Sequence, residues 1–216
     1  MSKTQKKAEI HANCVRDFIA QMKLRRIRCM YFEGIPSLRN MKQPDLLIPS
    51  YKVLVEIKTL QPEPEDEKIL ADINRQIKKG GLASYSHPDY YERHLRLISA
   101  ARKQFRPHKG FKSLVVVYDM FDFFLKQDPQ ILMEGMQKII VRVSRDPRHK
   151  SYVSSVEYDH KPFRGNLNTE IGAVAFRKRQ GDGFIVYQNI LADRSRTLGT
   201  SLFTNEDTLI DWPRRL

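Results

Sequence analysis

Cysteine is nearly missing from this chain: Cys14 and Cys29 are the only two in 216 residues. Two thiols cannot build a disulfide framework or a zinc cluster, and their scarcity points to a reducing, cytoplasmic setting. Long apolar runs are missing too. The longest, such as Leu114 to Tyr118, are strand-length and far short of the roughly 20 residues that cross a bilayer. A secretory leader is not expected, because the basic stretch Met1 to Lys7 leads into an amphipathic helix without an apolar h-region or cleavage site. There is no G-x-x-x-x-G-K-[ST] phosphate loop and no G-x-S-x-G elbow, which sets aside ATPase and serine-hydrolase chemistry. Internal repeats and low-complexity segments are absent. Acid is in short supply: 25 Asp and Glu stand against 38 Lys and Arg, for a net charge of +13.

An excess of cations favours a polyanionic partner, since Lys and Arg that neutralise phosphates release counterions and supply sequence-independent affinity. The basic residues are interleaved through elements that read as folded, and are not gathered into one tail or amphipathic helix. Nucleic acid therefore fits better than a membrane surface. At 41% hydrophobic residues the chain can also build a substantial interior.

Apolar positions Ile10, Cys14, Val15, Phe18, Ile19 and Met22 recur at helical spacing and predict a helix over Ala8 to Leu24. Ile27 to Phe32 reads as a strand, broken by Gly34-Ile35-Pro36-Ser37. Next comes Gln43-Pro44-Asp45-Leu46-Leu47-Ile48, then Pro49-Ser50-Tyr51-Lys52 as a reversing turn, then Val53-Leu54-Val55-Glu56-Ile57-Lys58. On a strand, side chains alternate, so Leu54, Glu56 and Lys58 share one face while Val53, Val55 and Ile57 share the other. An antiparallel return would bring Asp45 toward Glu56 and Lys58. Two carboxylates about 4 Å apart repel by roughly 4 kcal/mol at an effective dielectric near 20, a conflict that a cation relieves. Carboxylate and water oxygens suit Mg²⁺, with Mn²⁺ as substitute, leaving positions for a phosphate oxygen and an attacking water. Lys58 would then orient that water or stabilise charge developing on phosphorus. The plain alternative is an Asp in a post-proline turn, with a Glu and a Lys solvated on an edge strand.

Pro44, Asp45, Glu56, Ile57 and Lys58 resemble the motif of the PD-(D/E)XK nuclease superfamily, and the first 120 or so residues follow that family's order of helix, three strands, helix and strand. The resemblance implies an α/β fold: a restriction-endonuclease-like core with a central mixed sheet flanked by helices, carrying a Mg²⁺-dependent deoxyribonuclease. It implies Asp45, Glu56 and the carbonyl of Ile57 as metal ligands and Lys58 as the group that positions water. A polar residue on the helix after the Glu-x-Lys strand would join them, with Lys103 and Gln104 as candidates and Gln76 as a rival. An acid from the first helix would complete the metal site, Glu9 first and Asp17 as fallback.

Glu63 to Glu67 opens and Arg75, Lys78 and Lys79 close a predicted helix over Glu65 to Lys79, the charge order a helix dipole favours. The acidic cluster reads as helix-start chemistry more than as ligands. A second helix is expected over Tyr91 to Phe105 and a buried strand over Phe111 to Tyr118. Residues 1–125, with the helix inserted at 63–80, would form the core. Residues 126–216 would be a C-terminal β-rich α+β extension, either appended or completing the same domain. Ile131 to Val143 reads as helix then strand, and Gly172 to Arg179 with Phe184 to Asn189 as a β-hairpin around Asp182-Gly183. The candidate phosphate contacts are Arg75, Lys78, Lys79, Arg102, Lys103 and the hairpin-tip residues Arg177, Lys178 and Arg179. Asp159-His160-Lys161-Pro162, with Asn166 and Asn168, is only faintly similar to the HNH nucleases: no later histidine and no bracing cysteine pairs accompany it. The partner expected is DNA, with RNA open and no membrane, and a homodimer or larger complex stays open. A subunit of the same fold that binds nucleic acid but has lost its chemistry is the competing reading.

Overall fold

The structure is a computed structural model and describes residues 2–32, 43–79, 83–86, 90–120, 129, 133, 140–143, 152–154, 169–177 and 183–212. The chain divides into two compact units: Met1–Thr59, Arg96–Asp119 and Phe163–Leu216 in one, Leu60–Leu95 and Met120–Pro162 in the other. No helix among the described residues is long and apolar enough to cross a membrane.

In the first unit, helix α1 (Lys3–Leu24) starts at a capping box, Ser2 Oγ accepting from the Gln5 N–H while Gln5 Oε1 accepts from the Ser2 N–H. It ends where Ile27 N–H donates to Met22 C=O and Arg26 N–H to Lys23 C=O, with Arg26 in the left-handed region at φ 59°. Strands β1 (Met30–Tyr31), β2 (Leu46–Ile48) and β3 (Val53–Leu60) form an antiparallel meander. The reversal between β2 and β3 is a turn of 3-10 helix, Pro49–Tyr51, closed by Lys52 at φ 53°. β5 (Lys112–Asp119) follows helix α3 (Tyr90–Phe105) and lies beside β3. Lys112 N–H donates to Lys52 C=O and Met120 N–H to Leu60 C=O, so β3 and β5 run the same way.

Three further strands complete this sheet: β8 (Ala173–Arg177), β9 (Phe184–Asn189) and β10 (Thr208–Trp212). The order is β1-β2-β3-β5-β8-β9-β10, with β5 and β8 parallel, β8 and β9 antiparallel, and β9 and β10 parallel. The protein is thus α/β, with a seven-stranded mixed sheet. β8, β9 and β10 extend the sheet of the N-terminal part and do not stand apart from it. Gly172 makes the crossing into β8 feasible: a Cβ there would lie 1.9 Å from the Arg196 carbonyl oxygen.

Alternation along β3 sorts the two faces. Val53, Val55 and Ile57 join Cys14, Val15, Phe18 and Met22 of α1 in one buried cluster with Leu114, Val116, Ala173, Ala175 and Val186. Ile98, Ala101 and Phe105 of α3 are buried as well. A buried guanidinium fixes the C-terminal end of α3: Arg196 donates to the carbonyls of Phe105, His108 and Phe111 at 3.2, 2.9 and 3.1 Å, pairing acceptors that a helix end leaves open.

In the second unit, helix α2 (Pro64–Lys78) packs on β4 (Ala83–Ser86), which pairs antiparallel with β6 (Ile140–Val143), itself antiparallel to β7 (Tyr152–Ser154). The acidic start of α2 is capping chemistry: the Glu63 N–H donates to Asp66 Oδ2 at 2.6 Å, and Arg93 holds Asp66 at 2.6 Å and Glu63 at 3.5 Å.

Several expectations meet a different outcome. The strand over Ile27 to Phe32 is only two residues long, and α1 begins five residues before Ala8. β10 has no counterpart in the sequence reading. Most of Ile131 to Val143, the hairpin turn with Lys178 and Arg179, and Asp159 to Asn168 lie outside the described residues.

Candidate functional site

Pro44 biases Gln43 toward an extended backbone and feeds the chain into β2. The Asp45 N–H donates to the Val55 carbonyl at 3.1 Å, and the ladder between β2 and β3 then stops. Beyond that point the Asp45 side chain takes over, its Oδ2 accepting from the Ile57 N–H at 2.7 Å. The carboxylate is thereby held against the stretch of β3 that carries Glu56 and Lys58.

Neither of those residues is a solvated edge position. β3 lies between β2 and β5, and Glu56 and Lys58 are 2% and 7% exposed. Lys58 Nζ donates to Glu56 Oε1 at 2.5 Å and to Gln104 Oε1 at 3.0 Å, and Gln104 Nε2 donates onward to the Gln43 carbonyl at 3.0 Å. Gln104 is 2% exposed. It ties α3 to both the ammonium and the segment entering β2. Glu56 Oε2 is buried with no hydrogen-bonding partner among the described residues. Burial pushes the Glu56 carboxyl above its ordinary range, Asp45 adds to that shift by repulsion, and the Lys58 ammonium opposes both.

The other oxygen of Asp45 meets a residue that sequence reasoning passed over. His11 Nε2 lies 3.2 Å from Asp45 Oδ1, and this contact raises the imidazole pKa, against the opposing effect of burial. A signal for it existed. His11 precedes Cys14, Val15, Phe18 and Met22 by three, four, seven and eleven positions, so it continues the stripe that α1 buries against the sheet.

Glu9 does not join the site. It is exposed, and a two-residue offset turns it about 200° around the helix from His11, which faces Asp45. Asp17 is committed elsewhere: its Oδ2 accepts from Tyr118 Oη at 2.8 Å and from Arg177 Nε at 3.1 Å. That contact also draws Arg177 inward, where it donates to the Gly183 carbonyl and stacks over Phe184, so Arg177 is not a free hairpin-tip cation. Arg102 lies 3.6 Å from Glu170, while Lys103 is exposed. Arg75, Lys78 and Lys79 are exposed on and after α2 in the second unit, Arg75 paired with Asp72, and Gln76 also bonds Asp72.

Among the described residues no group of three or more His, Cys, Asp or Glu is arranged to hold a metal ion. The chemistry that remains is a pair of carboxylates beside a buried ammonium. No protein family, curated protein or solved structure matches this chain.

Proposed function

We propose that the protein is a Mg²⁺-dependent deoxyribonuclease, an endonuclease with a restriction-endonuclease-like core whose site is Asp45, Glu56 and Lys58. One observation carries this reading. Glu56 is buried beside a second carboxylate, and one of its oxygens is orphaned. Such an atom costs stability unless something binds it. A plain nucleic-acid-binding surface, moreover, has no need of two adjoining carboxylates facing phosphate.

The donor set fits Mg²⁺, which keeps most of its waters and takes one or two carboxylates, and does not need a cage of three side chains. Asp45 and Glu56 would hold the ion, with the Ile57 carbonyl as a main-chain ligand. When bound, the ion supplies charge stabilisation and lowers the pKa of a coordinated water. Lys58 supplies a positive charge at the reacting phosphate. Gln104 fixes the direction of that ammonium, and the Ile57 N–H and His11 fix the plane of the Asp45 carboxylate.

Purified protein incubated with supercoiled plasmid should nick or linearise it with Mg²⁺ or Mn²⁺ and leave it intact with EDTA. Ca²⁺ should support binding with little cutting, because its looser geometry places the water poorly. Full cutting in EDTA would refute the reading.

A further inference from the structure

Beyond the C-terminal end of α1 lies a groove of about 340 Å³, lined by Ile19, Lys23, Arg26, Ile27, Arg28 and Cys29. Its floor is anchored, since Ile19, Ile27 and Cys29 pack against the core cluster of the first unit. Among the described residues the rim is cationic and contains no acid: Lys23, Arg26 and Arg28 are exposed. None of the three has an ion-pair or hydrogen-bond partner for its side chain among the described residues. The neighbouring Arg25 behaves oppositely, buried against Asp207 at 2.6 and 3.0 Å. Arg26 moreover occupies the left-handed position that helices ordinarily give to glycine, at φ 59°. The chain thus holds a cation at this point where local backbone preference would not place one.

The groove is tied to the Asp45 site by register. The Phe32 N–H donates to the Asp45 carbonyl, and Tyr31 and Met30 pair with Leu46 and Leu47. Counting back along the chain at about 3.3 Å per residue, Cys29 lies at most about 10 Å from the position facing Asp45, and Arg26 at most about 20 Å. One strand of duplex DNA presents a phosphate about every 3.4 Å along the helix axis.

We propose that this groove seats the phosphate backbone of the DNA strand flanking the cut, within about six phosphates of the scissile bond. The proposal rests on the nuclease reading and adds a substrate track to it. The recognition proposed is of phosphate charge, which carries no base sequence.

The test measures binding of a fluorescent 30-base-pair duplex in EDTA across a salt series, so that cleavage does not enter. Replacing Lys23, Arg26 and Arg28 together by Gln should flatten the slope of log K against log salt by about 2 to 3, at about 0.9 per lost phosphate contact. Replacing three other exposed cations, Lys6, Lys109 and Arg194, should change it by less than about 1. An unchanged slope in the groove variant, or equal flattening in both, would overturn the proposal. A second arm reads position instead of salt dependence. Arg28→Cys with a photo-crosslinker, in a background lacking Cys14 and Cys29, should mark DNA within about six nucleotides of the cut; marks scattered along the duplex would contradict it. If the groove variant flattens the slope yet the wild type never cuts with Mg²⁺ or Mn²⁺, the nuclease reading fails and the placement relative to a cut fails with it, while phosphate binding by the groove stands. If the slope is unaltered while cutting is normal, the groove fails alone.

Discussion

Gln104 links the position of a helix to the direction of an ammonium, and replacing it by Met separates the two at nearly constant volume. Gln104 makes two hydrogen bonds of 3.0 Å, one to Lys58 Nζ and one to the Gln43 carbonyl, at a site 2% exposed. A hydrogen bond to a charged group contributes about 1.5–3 kcal/mol and a neutral one about 0.5–1.5, so their joint loss should cost about 2–4 kcal/mol. With a urea dependence near 3 kcal/mol per molar, the unfolding midpoint should fall by about 1 M. Lys58 keeps its bond to Glu56 but is no longer held from α3, and misplacement of a reacting group by about 1 Å can slow a reaction about 100-fold. Single-turnover cleavage should therefore fall by about 10- to 100-fold, with DNA affinity within about threefold, because one uncharged buried residue makes no phosphate contact. Two results would refute this reasoning. A wild-type urea midpoint would mean the bonds do not form, and a lowered midpoint with wild-type cleavage would mean that Gln104 supports the fold without positioning Lys58.

The His11–Asp45 contact predicts a pH dependence of stability. The folded pKa of His11 is raised, so its contribution is fully present below the unfolded value near 6.5 and is lost as pH rises through the folded value. His11→Gln should therefore lower the melting temperature more at pH 5.5 than at pH 8.5, and an equal drop at both would contradict the assignment. The Asp207 side chain is fully buried and holds Arg25 while accepting the N–H groups of Phe184 and Thr204. Asp207→Asn leaves the guanidinium uncompensated and should destabilise by about 3–5 kcal/mol in urea unfolding, whereas a loss under about 1 kcal/mol would show that the pair does not form in solution.

Elements governed by a local period were legible in the sequence, and contacts made across the sheet were not. β3 was readable because Val53, Val55 and Ile57 alternate with Leu54, Glu56 and Lys58, and α1 because its apolar positions recur at helical spacing. The proximity of Asp45 to β3 followed from the turn between two extended runs. The burial of Glu56 and Lys58 did not: it depends on β5 pairing with β3 across α2, β4 and α3, which no local pattern encodes. β10 escaped notice because Thr208 to Ile210 are not buried and Asp211 interrupts the apolar pattern, so its pairing with β9 sets it more than composition does. Arg177 looked like an exposed tip because Asp17, 160 positions away, is its partner. Glu9 and His11 were both visible on α1. An acid is the better metal ligand by chemistry, but helical phase turns His11, and not Glu9, toward Asp45.

The central claim, that Asp45, Glu56 and Lys58 form a hydrolytic centre and not a binding surface, is tested most directly by measuring cleavage and binding in parallel for Lys58→Ala. With end-labelled duplex and saturating Mg²⁺, single-turnover cleavage should fall by at least about 100-fold relative to wild type, since the ammonium acts at the reacting centre. Affinity in EDTA should stay within a few-fold, since one charge among many phosphate contacts contributes little to binding. Equal loss of cleavage and affinity, or cleavage that survives intact, would contradict the account.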